Sequence, residues 1–281
     1  MMARAFIRVA LALAVATAPL AASADTALRR LSLRTEGLGW EAVGRLDLGR
    51  GSFCSGALIA TDLVLTAAHC LHDAQGRRMD PTKVTFRAGY RDGEAVAIRQ
   101  GKRAVVMPGY DPASGDMIGQ LMADVALLQL DRPIAAANAA PYELSQEVRT
   151  GEAVAVASYG QGRSEIMSLQ RKCEVLGERV GALAFSCDVT FGSSGAPVFE
   201  MSGGRPRIVS IISKGAREEG KMLSLGMRVE SKVAQLRADL RAGRGVFPQA
   251  HLAAKHLRVG TRNQTGARFV RPTGGPHFVQ P

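Results

Sequence analysis

Long apolar runs and acidic side chains are missing from large parts of this sequence. After residue 24 no stretch is long and apolar enough to cross a bilayer, which needs about 20 residues, and this excludes a later transmembrane helix. Acidic residues are absent from residues 1–24 and 244–281, which carry two and six positive charges. Of the net charge of +11, only +3 lies between these segments, so the composition does not indicate a nucleic-acid-binding fold.

The N-terminal residues have the composition of an export signal. Two arginines precede an apolar run from Val9 to Leu20, and the small residues 22–24 would allow cleavage before Asp25. A membrane anchor is the alternative, but the run is well short of the length needed to span a bilayer. We therefore predict a signal peptide over residues 1–24 and a secreted or periplasmic protein.

Cysteine is scarce, with only Cys54, Cys70, Cys173 and Cys187. An even number of cysteines in an exported chain indicates disulfides. Four cysteines allow three pairings. The local one, Cys54 with Cys70 and Cys173 with Cys187, closes two short loops, each worth about 3 kcal/mol in the chain-entropy model. A zinc site is the alternative, but neither pair has the spacing of zinc ligands, so we predict no metal.

Helix–strand alternation of the parallel α/β type is not found in the sequence. Short β-branched and apolar runs separated by Gly, Pro, Asp and Asn predict an all-β sandwich or barrel instead. The clearest runs are Val43–Leu48, Leu63–Thr66, Val84–Ala88, Ala104–Met107, Val125–Leu130, Val154–Ala157, Ile208–Ile212 and Leu223–Val229. One helix is predicted, with Ser231 as its N-cap, apolar residues at helical spacing and Gly243 as its stop.

The composition changes after Gly243, where Gly, Pro, Arg and Gln dominate and strand patterning fades. A flexible tail over residues 244–281 is the simpler interpretation. An electrostatic contact of this tail with an anionic envelope or polymer is the alternative. Further upstream, the Pro/Ala-rich residues 131–143 connect two strand-rich halves.

Histidine is also scarce, and three of the five histidines lie in the tail. This leaves His69 and His72 as candidate bases in the body of the protein. His69 lies in "VLTAAHCL", where an apolar strand ends in small residues that leave room for a substrate beside the ring. A lone structural histidine is the alternative. A disulfide between Cys70 and Cys54 would fix the backbone of His69 to the neighbouring strand.

A catalytic histidine requires an acid that fixes its tautomer. Asp124 in "LMADVALLQL" directly precedes an apolar run, so the fold would bury it, and a buried carboxylate must be hydrogen-bonded or paired. Asp62, Asp73 and Asp131 have turn-like surroundings instead. The stretch "GSSGAP" offers two adjacent serines, and a serine attacks only with a base and with donors for the charge that develops.

These three segments resemble a known family. "TAAHC", "ADVALLQL" and "GSSGAP", in this order, are similar to the His, Asp and Ser segments of the chymotrypsin-like (trypsin-like) serine peptidases, of the exported bacterial type. The resemblance covers about residues 40–240. It implies two packed six-stranded antiparallel β-barrels, residues 40–135 and 136–243, with a C-terminal helix and the basic tail 244–281. Residues 25–39 would be an N-terminal or pro-segment.

The resemblance also implies catalytic roles. His69 would be the general base, Asp124 the orienting acid and Ser194 the nucleophile. The backbone N–H groups of Gly192 and Ser194 would form the oxyanion hole. Ser193 occupies the place where activated trypsins have an aspartate that binds a newly cut N-terminus, so that activation switch would be absent.

A specificity pocket follows from the same resemblance. Asp188, six residues before the nucleophile, would form its floor and select Arg or Lys, and Gly226 would keep it deep. Ser213 and Gly215 belong to the segment that would pair with an extended substrate. Ile212 stands where glutamyl relatives have a histidine, which disfavours a preference for glutamate.

We therefore predict a secreted serine endopeptidase that acts on polypeptides after Arg or Lys and uses no cofactor, with no nucleic-acid partner. The alternative is a catalytically silent homologue that serves as a binding module. Such homologues usually lack one of the three catalytic residues. A basic envelope-binding protein that uses the barrels as a scaffold is a third interpretation, and it depends on the tail alone.

Overall fold

The computed structural model of this protein describes residues 26–218 and 221–248. The predicted signal peptide and residues 249–281 of the predicted tail lie outside the described residues. Within the described ranges, no helix has both the length and the apolar character needed to cross a membrane.

Strands dominate the described part of the chain, which contains two α-helices. The strands are β1 (Arg29–Arg30), β2 (Val43–Gly49), β3 (Ser52–Ala60), β4 (Leu63–Thr66), β5 (Thr85–Ala88), β6 (Ala97–Val106), β7 (Ala126–Leu130), β8 (Ala153–Gly160), β9 (Arg163–Arg179), β10 (Ala182–Phe185), β11 (Pro197–Glu200), β12 (Arg207–Glu218) and β13 (Lys221–Arg228). The helices are α1 (Met117–Ala123) and α2 (Glu230–Ala242).

The first barrel consists of β2 to β7. Its six antiparallel strands follow the order β2-β3-β4-β7-β6-β5, and β5 pairs with β2 to close the barrel. Alternate side chains of a strand point to opposite faces, so every second residue can enter the interior. Leu46, Leu58 and Phe86 are fully buried there and supply much of the apolar filling.

The second barrel consists of β8 to β13. Its strands follow the order β9-β10-β13-β12-β11-β8, and β8 pairs with β9 to close it. β1 adds to the outside of β9, with Arg29 opposite Leu169. The prediction of two six-stranded antiparallel barrels is therefore confirmed, and the N-terminal segment packs on the second of them.

Aromatic residues pack the second barrel against the first. Phe199 of β11 lies edge-on to Trp40 at the start of the first barrel, with ring centroids 5.2 Å apart. Tyr142, at the end of the connector, lies 4.7 Å from the same Phe199 ring. One apolar cluster therefore spans both barrels beneath the cleft, and a second one, around Val154 and Phe185, fills the rest of the second barrel.

The predicted C-terminal helix is present, but its start differs from the prediction. α2 begins at Glu230 directly after β13, and Val229 occupies the N-cap position, so Ser231 lies within the first turn. The helix ends where predicted, because Gly243 adopts a left-handed conformation that favours glycine. α1 was not predicted; Asp116 caps it by accepting a hydrogen bond from the N–H of Gly119 at 2.9 Å.

The packed part of the chain extends further than predicted, past the expected start of the tail at residue 244. Val246 and Phe247 are buried at 9% and 8% exposure. Phe247 exchanges two backbone hydrogen bonds with Ala104 of β6, at 2.7 and 2.9 Å. Polar composition concealed two apolar side chains that pack on the first barrel, so the packed region extends past Gly243.

Two truncations separate the packed residues from the rest of the tail. Truncation after Gly243 should lower the free energy of unfolding by about 2–4 kcal/mol, because it removes a buried Phe and a buried Val. Truncation after Pro248 should leave thermal unfolding unchanged.

If the tail contacts anionic surfaces, the full chain should be retained more strongly than the Pro248 truncation on an anionic resin, and salt should remove that difference. Equal unfolding temperatures for both truncations would contradict the packing role, and equal retention would eliminate the tether.

Candidate active site

Both predicted disulfides are present. Cys54 is bonded to Cys70 at 2.04 Å, and Cys173 to Cys187 at 2.01 Å. The first bond ties β3 to a short 3₁₀ turn, Ala68–Leu71, that directly follows β4 and carries His69. The sulfurs of Cys54 and Cys70 lie close to the His69 ring as metal ligands would, but their disulfide leaves no thiolate for a metal.

His69 and Asp124 form a closely held pair. The Nδ1 atom of His69 lies 2.8 Å from Oδ2 of Asp124, and the backbone N–H of His69 donates to Oδ1 at 2.8 Å. The hydroxyl of Ser213 donates to Oδ2 at 2.5 Å. Asp124 is only 2% exposed, so a carboxylate that the sequence predicted to be buried has three donors.

These contacts determine the charge of Asp124. Burial raises its pKa, but the hydrogen bond and positive charge of His69 and the hydrogen bond of Ser213 outweigh burial and hold the pKa below its ordinary value. The carboxylate is therefore ionised at neutral pH and fixes a proton on Nδ1 of the imidazole. Nε2 of His69 is then left without a proton and can act as a base.

Ser194 lies on the loop between β10 and β11, and its position answers which of the two serines faces the cleft. Ser194 is half-buried and lines the cleft, whereas Ser193 is completely buried. The carbonyl oxygen of Ser194 accepts from the N–H of Ser55 at 2.8 Å. Gly195 has a φ of +76°, and a Cβ there would lie 2.2 Å from Oγ1 of Thr66, so this turn requires glycine.

Two backbone N–H groups beside Ser194 have no acceptor within the described residues, namely those of Gly192 and Ser194. The N–H groups of the residues that follow each of them do have acceptors. The N–H of Ser193 donates to the carbonyl of Thr190 at 2.9 Å, and the N–H of Gly195 donates to that of Ile212 at 2.7 Å. Gly192 and Ser194 both line the cleft. This arrangement suits an oxygen that acquires negative charge.

A cleft of about 1180 Å³ brings the predicted catalytic residues together. His69, Asp124 and Ser194 all line it. No hydrogen bond joins the hydroxyl of Ser194 to the His69 ring across the described part of the chain, and such a contact commonly tightens only when substrate is bound. Ser213 and Gly215, predicted for the substrate edge, also line the cleft.

Two predicted pocket residues are not in the cleft. Asp188 is exposed and absent from the cleft lining, and its backbone N–H donates to Oε1 of the buried Gln170 at 2.7 Å. Gly226 is packed between strands, where a Cβ would lie 2.2 Å from the carbonyl oxygen of Ile211. Asp188 and Gly226 thus stand apart from the residues that line the cleft, and the role of Asp188 as the pocket floor stays a prediction.

Among the side chains that the structure describes, the cleft wall formed by the start of the nucleophile loop and by β12 and β13 is apolar with one cation. Val189, Ala216 and Met222 line it, and the ammonium group of Lys214 donates to Oε1 of Gln120 at 3.0 Å. Sequence reasoning missed Met222, since a methionine in a strand has no functional signal of its own.

Sequence reasoning also missed Arg163, the first residue of β9. Its side chain is 8% exposed and lies behind the Ser194 loop, outside the cleft lining. The surrounding sequence, "YGQGRSE", has the composition of an exposed turn, so nothing in the sequence indicated a buried cation.

Comparison with known proteins agrees with this geometry. A family model described as trypsin-like peptidase domain matches residues 54–206, which include His69, Asp124 and Ser194. Serine protease 56 of Homo sapiens is 30% identical over 196 residues, which are 60% of this chain and 31% of that protein. The modular serine protease of Drosophila melanogaster is 32% identical over 123 residues, 42% of this chain and 18% of that protein. The matched part covers about a third or less of either relative.

A solved structure, "Structure of Glu endopeptidase in complex with MPD", has a similar architecture. It superposes with a TM-score of 0.63 and covers 78% of this chain and 98% of that chain. The sequence identity is 18%, so this likeness concerns the fold alone.

Proposed function

Since the chain belongs to the trypsin-like peptidases, we propose that it is an exported serine endopeptidase that hydrolyses polypeptides through Ser194, His69 and Asp124. The observation that carries the proposal is the Asp124–His69 pair, with its 2.8 Å contact, in the same cleft as Ser194. Two disulfides, which persist in oxidising compartments, support export.

The first half of the reaction forms an acyl-enzyme. The hydroxyl oxygen of Ser194 attacks the carbonyl carbon of the scissile peptide bond, while Nε2 of His69 takes the hydroxyl proton. The N–H groups of Gly192 and Ser194 bind the resulting oxyanion. Asp124 stabilises the imidazolium, which then gives its proton to the leaving amine as the C–N bond breaks.

The second half restores the enzyme. A water molecule attacks the acyl carbon and gives a proton to Nε2 of His69. The ester bond to Ser194 breaks, the serine oxygen regains the proton and the carboxylic acid product leaves. Every proton transfer in this scheme uses the one ring nitrogen that Asp124 leaves free.

Labelling with a fluorophosphonate tests this proposal directly, because the reagent reacts with a serine only when a base and an oxyanion site activate it. We expect stoichiometric labelling of the native protein on the peptide that contains Ser194, and no labelling after denaturation. A folded protein that fails to react would favour the silent homologue that acts as a binding module.

Specificity is a separate part of the proposal. A preference for Arg or Lys was predicted from Asp188 and now has only the family resemblance in its favour. The described wall contains Val189, Met222 and the cationic Lys214, and a cationic substrate side chain placed there would lack a carboxylate partner. The geometry therefore supports cleavage after uncharged side chains.

A peptide library measures this preference. We expect the wild-type profile to rank uncharged side chains above Arg and Lys, and Asp188→Ser to change that ranking by less than about threefold. Met222→Ala should alter cleavage after large apolar side chains, since the smaller side chain leaves more space in the cleft at this wall. A dominant Arg or Lys preference that Asp188→Ser abolishes would reinstate Asp188 as the specificity residue.

A further inference from the structure

Arg163 is a buried cation that the reaction scheme does not use. Its side chain is 8% exposed at the point where β9 begins. Moving a guanidinium out of water is costly unless its hydrogen bonds and charge are compensated. A buried arginine beside a catalytic loop therefore needs a physical account.

The contacts of Arg163 connect two segments. Nη1 donates to the carbonyl oxygen of Ser158 at 2.7 Å, and Nη2 donates to the hydroxyl of Ser158 at 3.0 Å. Nη2 also donates to the hydroxyl of Ser193 at 2.9 Å. The guanidinium thus bridges the end of β8 and the residue that immediately precedes Ser194.

Ser193 passes this restraint to the loop. Its hydroxyl oxygen accepts from the N–H of Thr190 at 3.2 Å, and its O–H donates to the carbonyl of Tyr159 at 3.3 Å. A residue with a fixed side chain also fixes the peptide units on either side of it. The N–H groups of Gly192 and Ser194 belong to the same short loop, and neither has an acceptor within the described residues. Both residues line the cleft.

The charge of Arg163 is balanced at a distance. Within the described residues no carboxylate lies within ion-pair distance of its guanidinium, and its Nε is buried without a partner. Burial lowers the pKa of Arg163 to about 10, and the negative charge of Asp188 opposes that shift. The side chain is therefore cationic at neutral pH, and the negative charge of Asp188 acts on a cation of the protein itself.

The chain also leaves space for this cation. Gly160 lies beside the guanidinium, and a Cβ at this position would lie 2.8 Å from both Cζ and Nη2 of Arg163 and 2.5 Å from Oγ1 of Thr190. The next residue, Gln161, donates its N–H to the carbonyl of Phe191 at 2.7 Å. The turn before β9 and the nucleophile loop therefore lie in direct contact around Arg163.

From these contacts we infer that Arg163 is a positioning residue: its guanidinium, through the hydroxyl of Ser193, holds the nucleophile loop so that the N–H groups of Gly192 and Ser194 point into the cleft. The inference rests on the proposed peptidase function and deepens it. Arg163 touches no substrate, so its effect should concern the oxyanion, which exists only during the reaction, rather than substrate binding.

The test compares Arg163→Met and Arg163→Lys with a matched control. Arg237 of α2 is also partly buried, has a buried Nε without a partner and donates from Nη2 to a carbonyl, that of Ile59, at 2.8 Å. It has no contact with the cleft. Arg163→Met should lower kcat about 10- to 1000-fold, where the upper part of the range corresponds to a lost oxyanion donor, with KM changed less than about threefold. Arg237→Met should leave kcat and KM unchanged.

Three further measurements distinguish positioning from general stability. Arg163→Lys should recover part of kcat, because an ammonium keeps the charge and one hydrogen bond. The affinity of a peptide boronate, which forms a tetrahedral adduct on the serine, should fall in parallel with kcat/KM. Arg163→Met and Ser193→Ala should be non-additive, because they break the same contact.

Amide hydrogen exchange tests the effect of Arg163 on the nucleophile loop without a measurement of activity. Arg163→Met should accelerate exchange in the peptide 188–196, and Arg237→Met should not. If the wild type is not labelled by fluorophosphonate while this acceleration is seen, the proposed function fails and the positioning role stands. If wild-type labelling is normal and Arg163→Met leaves both kcat and loop exchange unchanged, the inference is wrong. Should Arg163→Met not fold, Gly160→Ala and Ser193→Ala retain the arginine, and unchanged kcat in both would equally overturn it.

Discussion

Replacing Ser194 by alanine is expected to lower kcat on the order of 10⁴- to 10⁶-fold, with the protein still folded and KM little changed. The substitution removes only the hydroxyl group of Ser194, and without it His69 has no nucleophile to deprotonate. The members of a triad act as a unit, so the loss of this one group removes most of the catalysis. The backbone N–H of residue 194 remains, so some stabilisation of the oxyanion persists. Turnover of a peptide ester and thermal unfolding of both proteins measure the two effects.

The adjacent serine is the matched control. Ser193→Ala removes an identical hydroxyl one residue away, but this hydroxyl is fully buried and bonded to Arg163. We expect this variant to keep fluorophosphonate labelling, with a reduced rate. Full activity in Ser194→Ala with Ser193 intact would refute the assignment of the nucleophile.

Asp124→Asn is expected to lower kcat about 10⁴-fold at neutral pH. An asparagine fits the same space and can still accept from the backbone N–H of His69. Its amide N–H₂, however, can donate to Nδ1 and thus favour the tautomer with the proton on Nε2, which cannot act as a base. Ser213→Ala should have a much smaller effect, since His69 keeps its 2.8 Å contact with a charged carboxylate. An Asp124→Asn enzyme with near wild-type kcat would show that Asp124 does not orient His69.

Stability against pH provides a check on the same residue. The pKa of Asp124 is lowered in the folded protein, so its ionised form stabilises the fold above the ordinary aspartate pKa. This contribution should be lost as the pH falls through the lowered folded value. The difference in unfolding free energy between wild type and Asp124→Asn should therefore shrink as the pH falls below about 4, the ordinary pKa of an aspartate.

The strands and the three catalytic segments could be predicted because their patterns are local. Short apolar runs between turn residues predicted most of the first barrel, and "TAAHC" and "GSSGAP" place small residues where a close approach of chain segments requires them. β9 was not predicted, since Arg171, Lys172 and Glu174 interrupt the alternation of an exposed strand. Local composition cannot show that a neighbouring strand will pair with such a sequence.

Arg163 and Asp188 show what depends on tertiary structure. Arg163 is one arginine among many in the sequence, and its burial involves Ser193, which lies 30 residues further along the chain. Asp188 has the right distance along the chain from Ser194, but sequence distance does not determine which way a side chain points. Phe247 was concealed in the same way, because its partner Ala104 lies far away in the sequence.

Through the adjacent residues Cys54 and Ser55 of β3, the cleft depends on the folding and docking of both barrels. Cys54 holds the segment of the base through its disulfide. Ser55 contacts the opposite barrel several times, and two of these contacts reach the nucleophile loop: its N–H donates to the carbonyl of Ser194 at 2.8 Å and its hydroxyl to that of Gly192 at 2.9 Å. A chain with a single folded barrel therefore has either a base without a nucleophile or a nucleophile without a base. If the chain is the proposed peptidase, a half-folded molecule therefore lacks a complete triad and cannot cleave itself before the two barrels dock.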